Sequence, residues 1–269
     1  CGSVVETEDG NWRMRATIMI SDCEWVDEVR EIEIARDGTT TVLQTIEVIE
    51  SGACAGRLPD GVVPIAGLTG DEVARHLAHL AWLEGAAVVA FERLAQDLAA
   101  HGAPAELVDR ALAAAADEVR HAERMGAMAG RYGGVVPEVR VAPHTERTLF
   151  DIALENATEG CVRETFGVVD ALYRSHRAPT EALRTLFADI AQDETRHAEL
   201  SWDIARWARA RLSGADCERL DAAEQEARTG LVAALGNRPD SVSERLGAPS
   251  AAAAVAMAHS LDESLRRAA

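Results

Sequence analysis

The heptapeptide Asp-Glu-Val-Arg-His-Ala-Glu at residues 117–123 recurs, with one change, as Asp-Glu-Thr-Arg-His-Ala-Glu at residues 193–199. Each copy contains Glu-x-x-His, and residues three apart lie on the same face of an α-helix. Each copy therefore presents a carboxylate and an imidazole in one direction, from Glu118 and His121 in the first and from Glu194 and His197 in the second. Two such copies in one chain predict a site for a pair of metal ions.

The sequence around this repeat predicts four long helices. From Asp71 onward, apolar residues recur at steps of three and four, which is typical of α-helices with one buried face. Breaks at residues 101–104 and 177–180 are short, whereas the break at residues 131–143 is long. We therefore expect a mainly α fold, a four-helix bundle with a long crossover between helices 2 and 3. Its third helix runs from about Thr145 to His176, and Thr180 caps the fourth.

Aligning the two halves on the repeated heptapeptide selects two more acids. Glu84 precedes Glu118 by 34 residues, and Glu159 precedes Glu194 by 35 residues. In an antiparallel hairpin of helices about 30 residues long, such positions lie at similar height. The sequence therefore predicts that Glu84 and Glu159 complete the ligand set.

Two other acids on the third helix are weaker candidates. Glu155 lies four residues before Glu159 on the same face and is the fallback ligand. Glu164 lies five residues after Glu159, a rotation of about 140° on an α-helix, which disfavours it as a ligand.

Asp117 and Asp193 are expected to support the site from outside. Each precedes a ligand glutamate and can accept a hydrogen bond from the histidine of the facing helix, which fixes the histidine tautomer; solvation at the surface is the alternative. A further alternative for the whole cluster is a structural salt-bridge network with Arg120 and Arg196. A rotation of about 100° takes these arginines off the ligand face.

The remaining segments flank the bundle. Stretches rich in β-branched residues and a turn signal at Asp37-Gly38 predict a small three-stranded antiparallel sheet; they are Met14–Ile20, Val29–Ala35 and Thr40–Ile49. Gly56–Gly70 reads as a linker, and two more helices are expected near the carboxyl terminus, as covering or oligomer-contact elements. The domain prediction is a β-rich region over 1–66, a four-helix bundle over 67–212 and a helical extension over 213–269.

The formal net charge of −18 argues against a nucleic-acid partner, because no excess of Lys and Arg is present to neutralise phosphates. An acidic surface attracts cations instead, although it also simply confers solubility.

Cys1-Gly-Ser resembles the mature amino terminus of a bacterial lipoprotein. The resemblance implies a lipid on Cys1, membrane attachment and a place on the periplasmic side of the cell envelope. A chain trimmed at this point is the alternative, with a cytoplasmic location. In an oxidising compartment Cys23 and Cys54 could form a disulfide, the alternative being two free thiols.

Residues 71–212 resemble the ferritin-like superfamily. The stretches Glu-Gly-Cys-Val-Arg-Glu-Thr at 159–165 and Ile-Ala-Gln-Asp-Glu-Thr-Arg-His-Ala-Glu-Leu-Ser-Trp at 190–202 look like a bacterial group of ferritin-like-domain proteins without an assigned substrate. The resemblance implies six ligands, of which Glu118 and Glu194 bridge: Glu84, Glu118, His121, Glu159, Glu194 and His197. The extra sheet and helices argue against a storage shell. The lack of a Cys-x-x-Cys pair means that any electron donor lies elsewhere.

We therefore expect a di-iron carboxylate protein that reacts with O₂ or peroxide, most simply an oxidoreductase of the ferroxidase or oxidase type. Iron is the expected metal, with manganese or one ion of each as alternatives. Two other functions stay open. One is an envelope module whose metal pair is structural, and the other is a di-iron hydroxylase of an organic substrate.

Overall fold

The chain is mainly helical, with a small antiparallel sheet near its amino terminus. The computed structural model describes residues 5–7, 9–19, 25–37, 39–51, 57–63, 65, 68–236 and 240–268. Cys1, Cys23 and Cys54, for which lipidation or a disulfide is expected, lie outside the described residues, as does Gly38 of the expected turn. The chain forms two compact units, Cys1–Gly52 and Ala53–Ala269.

The first unit is an antiparallel sheet with the strands in chain order. Its strands are β1 (Val5–Glu6), β2 (Trp12–Met19), β3 (Trp25–Ile34) and β4 (Thr40–Ser51). Trp12 lies opposite Ile34, which lies opposite Thr40 on its other side. The three predicted strands match β2, β3 and β4. The two-residue strand β1 was not predicted, because two residues are too few to show the alternation that marks a strand.

The second unit begins with a long helical hairpin. Helix α1 (Glu72–Ala100) starts after Asp71, whose side chain accepts a hydrogen bond from the backbone N–H of Ala74. A short turn, in which Gly102 has a φ of 69°, leads to α2 (Ala105–Arg131). The positive φ explains why glycine stands at this turn. A long connection then leads to the next helix, as the sequence predicts.

The third long helix is continuous but not uniform. It consists of α3 (Leu149–Glu155), a π-helical segment (Asn156–Glu164) and α4 (Thr165–Arg177). It begins four residues later than the predicted Thr145, because Thr148 and Asp151 form a capping box that fixes the start. Hydrogen bonds from residue i to i+5 replace the α-helical pattern over the π segment.

The last long helix, α5 (Glu181–Arg209), is capped by Thr180, which confirms that prediction. Three more helices follow: α6 (Gly214–Leu235), α7 (Asp240–Leu246) and α8 (Ala251–Ala268). Helices α6 and α8 match the two predicted carboxyl-terminal helices, and the short α7 was not predicted. Among the residues that the structure describes, no helix combines the length and the apolarity needed to cross a membrane.

The apolar core of the second unit is divided along the length of the helices. Helix α1 packs along α2, α4 packs along α5, and α2 also packs on α5. One apolar cluster includes Val73, Met125 and Phe187 and lies towards one end of these helices. Another includes Leu94 and Ile204 and lies towards the other end. The middle turns of α1, α2 and α5 lie between the two clusters, and these turns carry five of the six predicted metal ligands.

Candidate metal centre

Five of the six predicted ligands meet at mid-height between the two apolar clusters. One comes from α1, two from α2 and two from α5, and we call them the acid-histidine cluster: Glu84, Glu118, His121, Glu194 and His197. The Glu-x-x-His spacing on α2 and α5 turns both side chains of each pair towards the same point. Glu118, His121, Glu194 and His197 are all buried, and the side chain of Glu84 is 15% exposed.

The ligand atoms are close enough to share a cation. One atom each from Glu84, Glu118, His121 and Glu194 lies within 4.8 Å of the others. His197 adjoins the same group, with its Nδ1 atom 3.1 Å from Glu118 Oε1 and 3.8 Å from Glu194 Oε1. These residues can therefore bind at least one metal ion.

Several of these atoms are buried without a hydrogen bond. Within the described part of the chain, His121 Nδ1, His197 Nδ1, Glu118 Oε2 and Glu194 Oε2 have no hydrogen-bond partner. The histidine Nδ1 atoms lie 3.1 to 3.9 Å from the acid oxygens, so the groups are close together although neither Nδ1 atom forms a hydrogen bond within the described part of the chain. Leaving a buried polar atom unpaired costs about 1 to 3 kcal/mol, so the chain tolerates this arrangement only if something else offsets the cost.

The opposite nitrogen of each histidine contacts an aspartate on the facing helix. His121 Nε2 on α2 lies 3.0 Å from Asp193 Oδ2, and His197 Nε2 on α5 lies 3.2 Å from Asp117 Oδ2. This is the crossed arrangement that the sequence predicts. When the imidazole is neutral, as a metal ligand must be, an Nε2–H group that donates to a carboxylate leaves the lone pair on Nδ1, which is the atom that points into the cluster.

Arg120 and Arg196 lie on the solvent side of Asp117 and Asp193. Arg120 contacts Asp117 at 2.5 Å and Asp193 at 3.2 Å, and Arg196 contacts Asp193 at 2.5 Å and Asp117 at 3.0 Å. The two arginine side chains are 54% and 50% exposed. They therefore pair with the outer aspartates rather than with the buried glutamates, and they do not form the internal salt-bridge network that was considered as an alternative.

The pKa values of the cluster reflect its concentration of buried acids. Burial and the charge of Glu118 raise the pKa of Glu84 to about 7. The same two causes raise the pKa of Glu194 well above its usual value, and the charge of Glu164 adds to them. Burial lowers the pKa of His121, but contacts with Glu118 and Glu84 outweigh this and raise it to about 12. The negative charge of the glutamates thus attracts a positive partner, whether a proton or a metal ion.

Glu159, the sixth predicted ligand, is not in this group. Its carboxylate accepts a hydrogen bond from Arg163 on the same helix, and its Oε2 atom lies 3.4 Å from the backbone N–H of Leu58. The fallback ligand Glu155 is paired with Arg57 at 3.3 Å and with Arg147. Glu155 and Glu159 lie at the start of the π segment and within it, so the α-helical rotation that the prediction assumes does not apply between them.

Sequence reasoning missed Arg57. Its side chain is fully buried, although the sequence analysis placed it in a linker. Its guanidinium donates to Glu164 Oε1 at 3.2 Å, to Asn156 Oδ1 at 2.9 Å and to Ser201 Oγ at 3.1 Å. Burial of an arginine among glycines and prolines has no local sequence signal, because its partners lie about 100 or more residues further along the chain.

A surface groove of about 530 Å³ opens beside the cluster between α2 and α5, and Asp117, Arg196, His197 and Trp202 are among its lining residues. The groove brings solvent to Asp117 and to the side of the cluster that contains His197.

Two further side chains of types that can bind metals, His79 and Cys161, are buried in the packed interior. His79 is buried beside the ring of Trp82, with 6.1 Å between ring centroids, and burial lowers its pKa to about 4. Cys161 is a buried free thiol whose pKa is raised by burial to about 12. Both side chains therefore belong to the packed interior of the second unit.

The donor set of carboxylate oxygens and imidazole nitrogens fits a divalent metal ion. Carboxylate oxygens are hard ligands, neutral imidazole suits iron, manganese and zinc, and a soft thiolate is not part of the cluster. No family model, curated protein or solved structure matches the chain. Its function is therefore inferred from the side chains themselves.

Proposed function

We propose that the second unit is a ferritin-like four-helix bundle that binds two metal ions, iron in the simplest case, and reacts with O₂ or peroxide as a ferroxidase or oxidase. The observation that carries this proposal is the set of buried, unpartnered atoms around one point: the Nδ1 atoms of His121 and His197 and one oxygen each of Glu118 and Glu194. Two cations would give all four atoms a partner at once.

The distances favour a division of roles among the acids. Glu118 has Oε2 at 3.4 Å from His121 Nδ1 and Oε1 at 3.1 Å from His197 Nδ1. One oxygen facing each histidine is what a bridging carboxylate needs. Glu194 Oε1 lies almost equally far from the two histidines, at 3.9 and 3.8 Å, which suits a second bridge. Glu84 lies 3.7 Å from His121 Nδ1 and would be a terminal ligand on that side.

When bound, a pair of ferrous ions supplies the electrons that reduce O₂. The chain contributes a buried setting, in which apolar clusters above and below the acids exclude bulk water. Asp117 and Asp193 hold the two imidazoles in orientation through Nε2. The partial exposure of Glu84 leaves one side of the centre open to a small molecule.

The test is an aerobic Fe(II) titration of chelator-treated protein in an oxygen electrode, with buffer alone to correct for spontaneous oxidation. We expect O₂ uptake that saturates at two Fe(II) per chain or turns over with excess iron. Glu118→Gln should abolish the protein-dependent uptake. Glu123→Gln is the matched control, since Glu123 is an exposed residue of the same helix and the same heptapeptide. Uptake no faster than in buffer alone would refute the proposal.

A specific observation favours the hydroxylase as a second candidate function. A cavity of about 220 Å³ lies between the π segment, α4, α6 and α8. Val162, Phe166 and Leu231 form an apolar part of its lining, and charged side chains such as Arg228 and Asp262 form another part. A molecule with several carbons and a polar group fits this space. Such a substrate should quench or shift the fluorescence of a bound apolar dye and should stimulate O₂ uptake by iron-loaded protein. A zinc ion in protein purified from its native source, with no O₂ uptake, would instead support the structural module.

A further inference from the structure

The two halves of the acid-histidine cluster are unequal. The half that contains His121 has a terminal acid, Glu84, at 3.7 Å from Nδ1. In the half that contains His197, the acids near Nδ1 are Glu118 and Glu194, which the proposed function uses as bridges. A second metal ion would therefore have one carboxylate fewer, and the third long helix is the element from which the missing acid is expected.

The π segment brings Glu164 to this half. Because π-helical hydrogen bonds join residues five apart, the α-helical rotation of about 140° between Glu159 and Glu164 does not apply here. The side chain of Glu164 is 1% exposed. Gly167 lies one turn further along the third long helix. A β-carbon at this position would lie 3.8 Å from Glu194 Oε2. This side of the third helix thus faces a cluster acid.

Ser201 links Glu164 to His197. Its hydroxyl lies 2.8 Å from Glu164 Oε2 and 2.9 Å from the backbone carbonyl oxygen of His197, one turn earlier on α5. Since the hydroxyl has this second acceptor, Glu164 Oε2 can leave it without creating an unpaired buried donor. Glu159 is held elsewhere, because its carboxylate accepts hydrogen bonds from Arg163 and from the backbone N–H of Leu58.

Arg57 fixes the other oxygen of Glu164. Its Nε atom donates to Oε1 at 3.2 Å, and its guanidinium carbon lies 5.3 Å from the centre of the Phe91 ring. Phe91 in turn packs against the imidazole of His197, with 5.0 Å between ring centroids. The buried cation thus holds Glu164 beside the half of the cluster that has no terminal acid.

We propose that Glu164, and not Glu159, is the carboxylate that the third long helix supplies to the metal centre, and that Arg57 and Ser201 position it next to His197. This inference rests on the proposed function, because it needs a second metal ion.

The experiment is a Co²⁺ titration of chelator-treated full-length protein, followed by visible absorption, which reports both stoichiometry and coordination number. We expect two equivalents for the wild type. Glu164→Gln should retain the first equivalent and bind the second about 100-fold or more weakly, since losing even an outer partner of a ligand costs about 10- to 100-fold. Glu159→Gln, the matched control on the same helix, should bind both equivalents as the wild type does.

The variant Glu164→Asp tests whether Glu164 binds the metal ion directly or acts only through its charge. It also provides a second test if Glu164→Gln does not fold. It keeps the negative charge next to Arg57 but shortens the side chain by one methylene, so the second equivalent should again bind weakly. Far-UV circular dichroism checks the fold of each variant. Wild-type binding in Glu164→Asp, or loss of the second equivalent in Glu159→Gln but not in Glu164→Gln, would overturn the inference and leave the proposed function standing. Fewer than two equivalents in the wild type would overturn both.

Discussion

Replacing Glu84 with glutamine should stabilise the chain when no metal is present. Glu84 has a pKa raised from 4.5 to about 7 by burial and by the charge of Glu118. A group that holds its proton more tightly in the folded chain than in the unfolded chain makes the folded state less stable as the pH rises through that range. At 1.36 kcal/mol per pKa unit, the carboxylate costs about 3 kcal/mol of folding free energy at pH 8. Glutamine has nearly the same shape and carries no charge.

The assay is urea unfolding followed by far-UV circular dichroism, in the presence of a chelator, at several pH values. The free energy of unfolding of Glu84→Gln should match that of the wild type near pH 4.5. As the pH rises to 7, the free energy of unfolding of the variant should increasingly exceed that of the wild type. The difference should reach about 3 kcal/mol at pH 8. Glu92→Gln is the control, since Glu92 is an exposed acid on the same helix. Its stability relative to the wild type should not vary in this way.

Metal should remove most of this advantage. At a free metal concentration 100 times its dissociation constant, one ion stabilises the wild type by about 2.7 kcal/mol. A variant that binds 100-fold more weakly gains only about 0.4 kcal/mol at the same concentration. If Glu84→Gln is instead less stable than the wild type at pH 8 without metal, the carboxylate is part of a self-sufficient structural network. The buried acids would then need no metal ion to offset their charge, which would contradict the proposed metal centre.

Three further outcomes follow from the same contacts. Asp193→Asn should weaken metal binding about 10- to 100-fold in calorimetry by removing the support of an imidazole, whereas Asp189→Asn, at a surface ion pair on the same helix, should not. Metal binding should weaken as the pH falls and should release protons, because the two cluster histidines have raised pKa values; calorimetry in buffers of different ionisation enthalpy measures this release. Gly160→Ala should lower the free energy of unfolding by about 1 to 3 kcal/mol, because its β-carbon would collide with Arg57. The control Gly230→Ala, with open space around it, should raise that free energy by about 0.5 to 1 kcal/mol.

The sequence predicted the helical hairpins and most of the cluster because both follow from local periodicity. A stripe of apolar residues fixes which face of a helix is buried, and an acid within that stripe is buried with it. Glu84, Glu118 and Glu194 could be picked out in this way, and the repeated heptapeptide identified the facing histidines. The crossed contacts with the two aspartates follow from the same helix geometry.

The third helix shows where this reasoning stops. Its apolar pattern does not reveal that nine residues adopt a π-helical conformation, since the sequence on either side continues with ordinary α-helical spacing. The rotation of about 140° between Glu159 and Glu164 holds for an α-helix and not for this segment. The buried position of Arg57 was missed for a different reason, because it depends on partners brought together only by the tertiary fold.

The aspartates and arginines on the outer side of the two cluster histidines also help to align the two hairpins. Asp117 and Arg120 belong to one hairpin, Asp193 and Arg196 belong to the other, and each arginine contacts the aspartate of the opposite helix. Sliding α2 along α5 by one helical turn, about 5.4 Å, would break both contacts together with both histidine contacts. Apolar side chains tolerate such a shift far better, because one leucine can replace another. These polar contacts between α2 and α5 therefore favour a single register of the two hairpins. They do so without a metal ion, because a shifted register would break them.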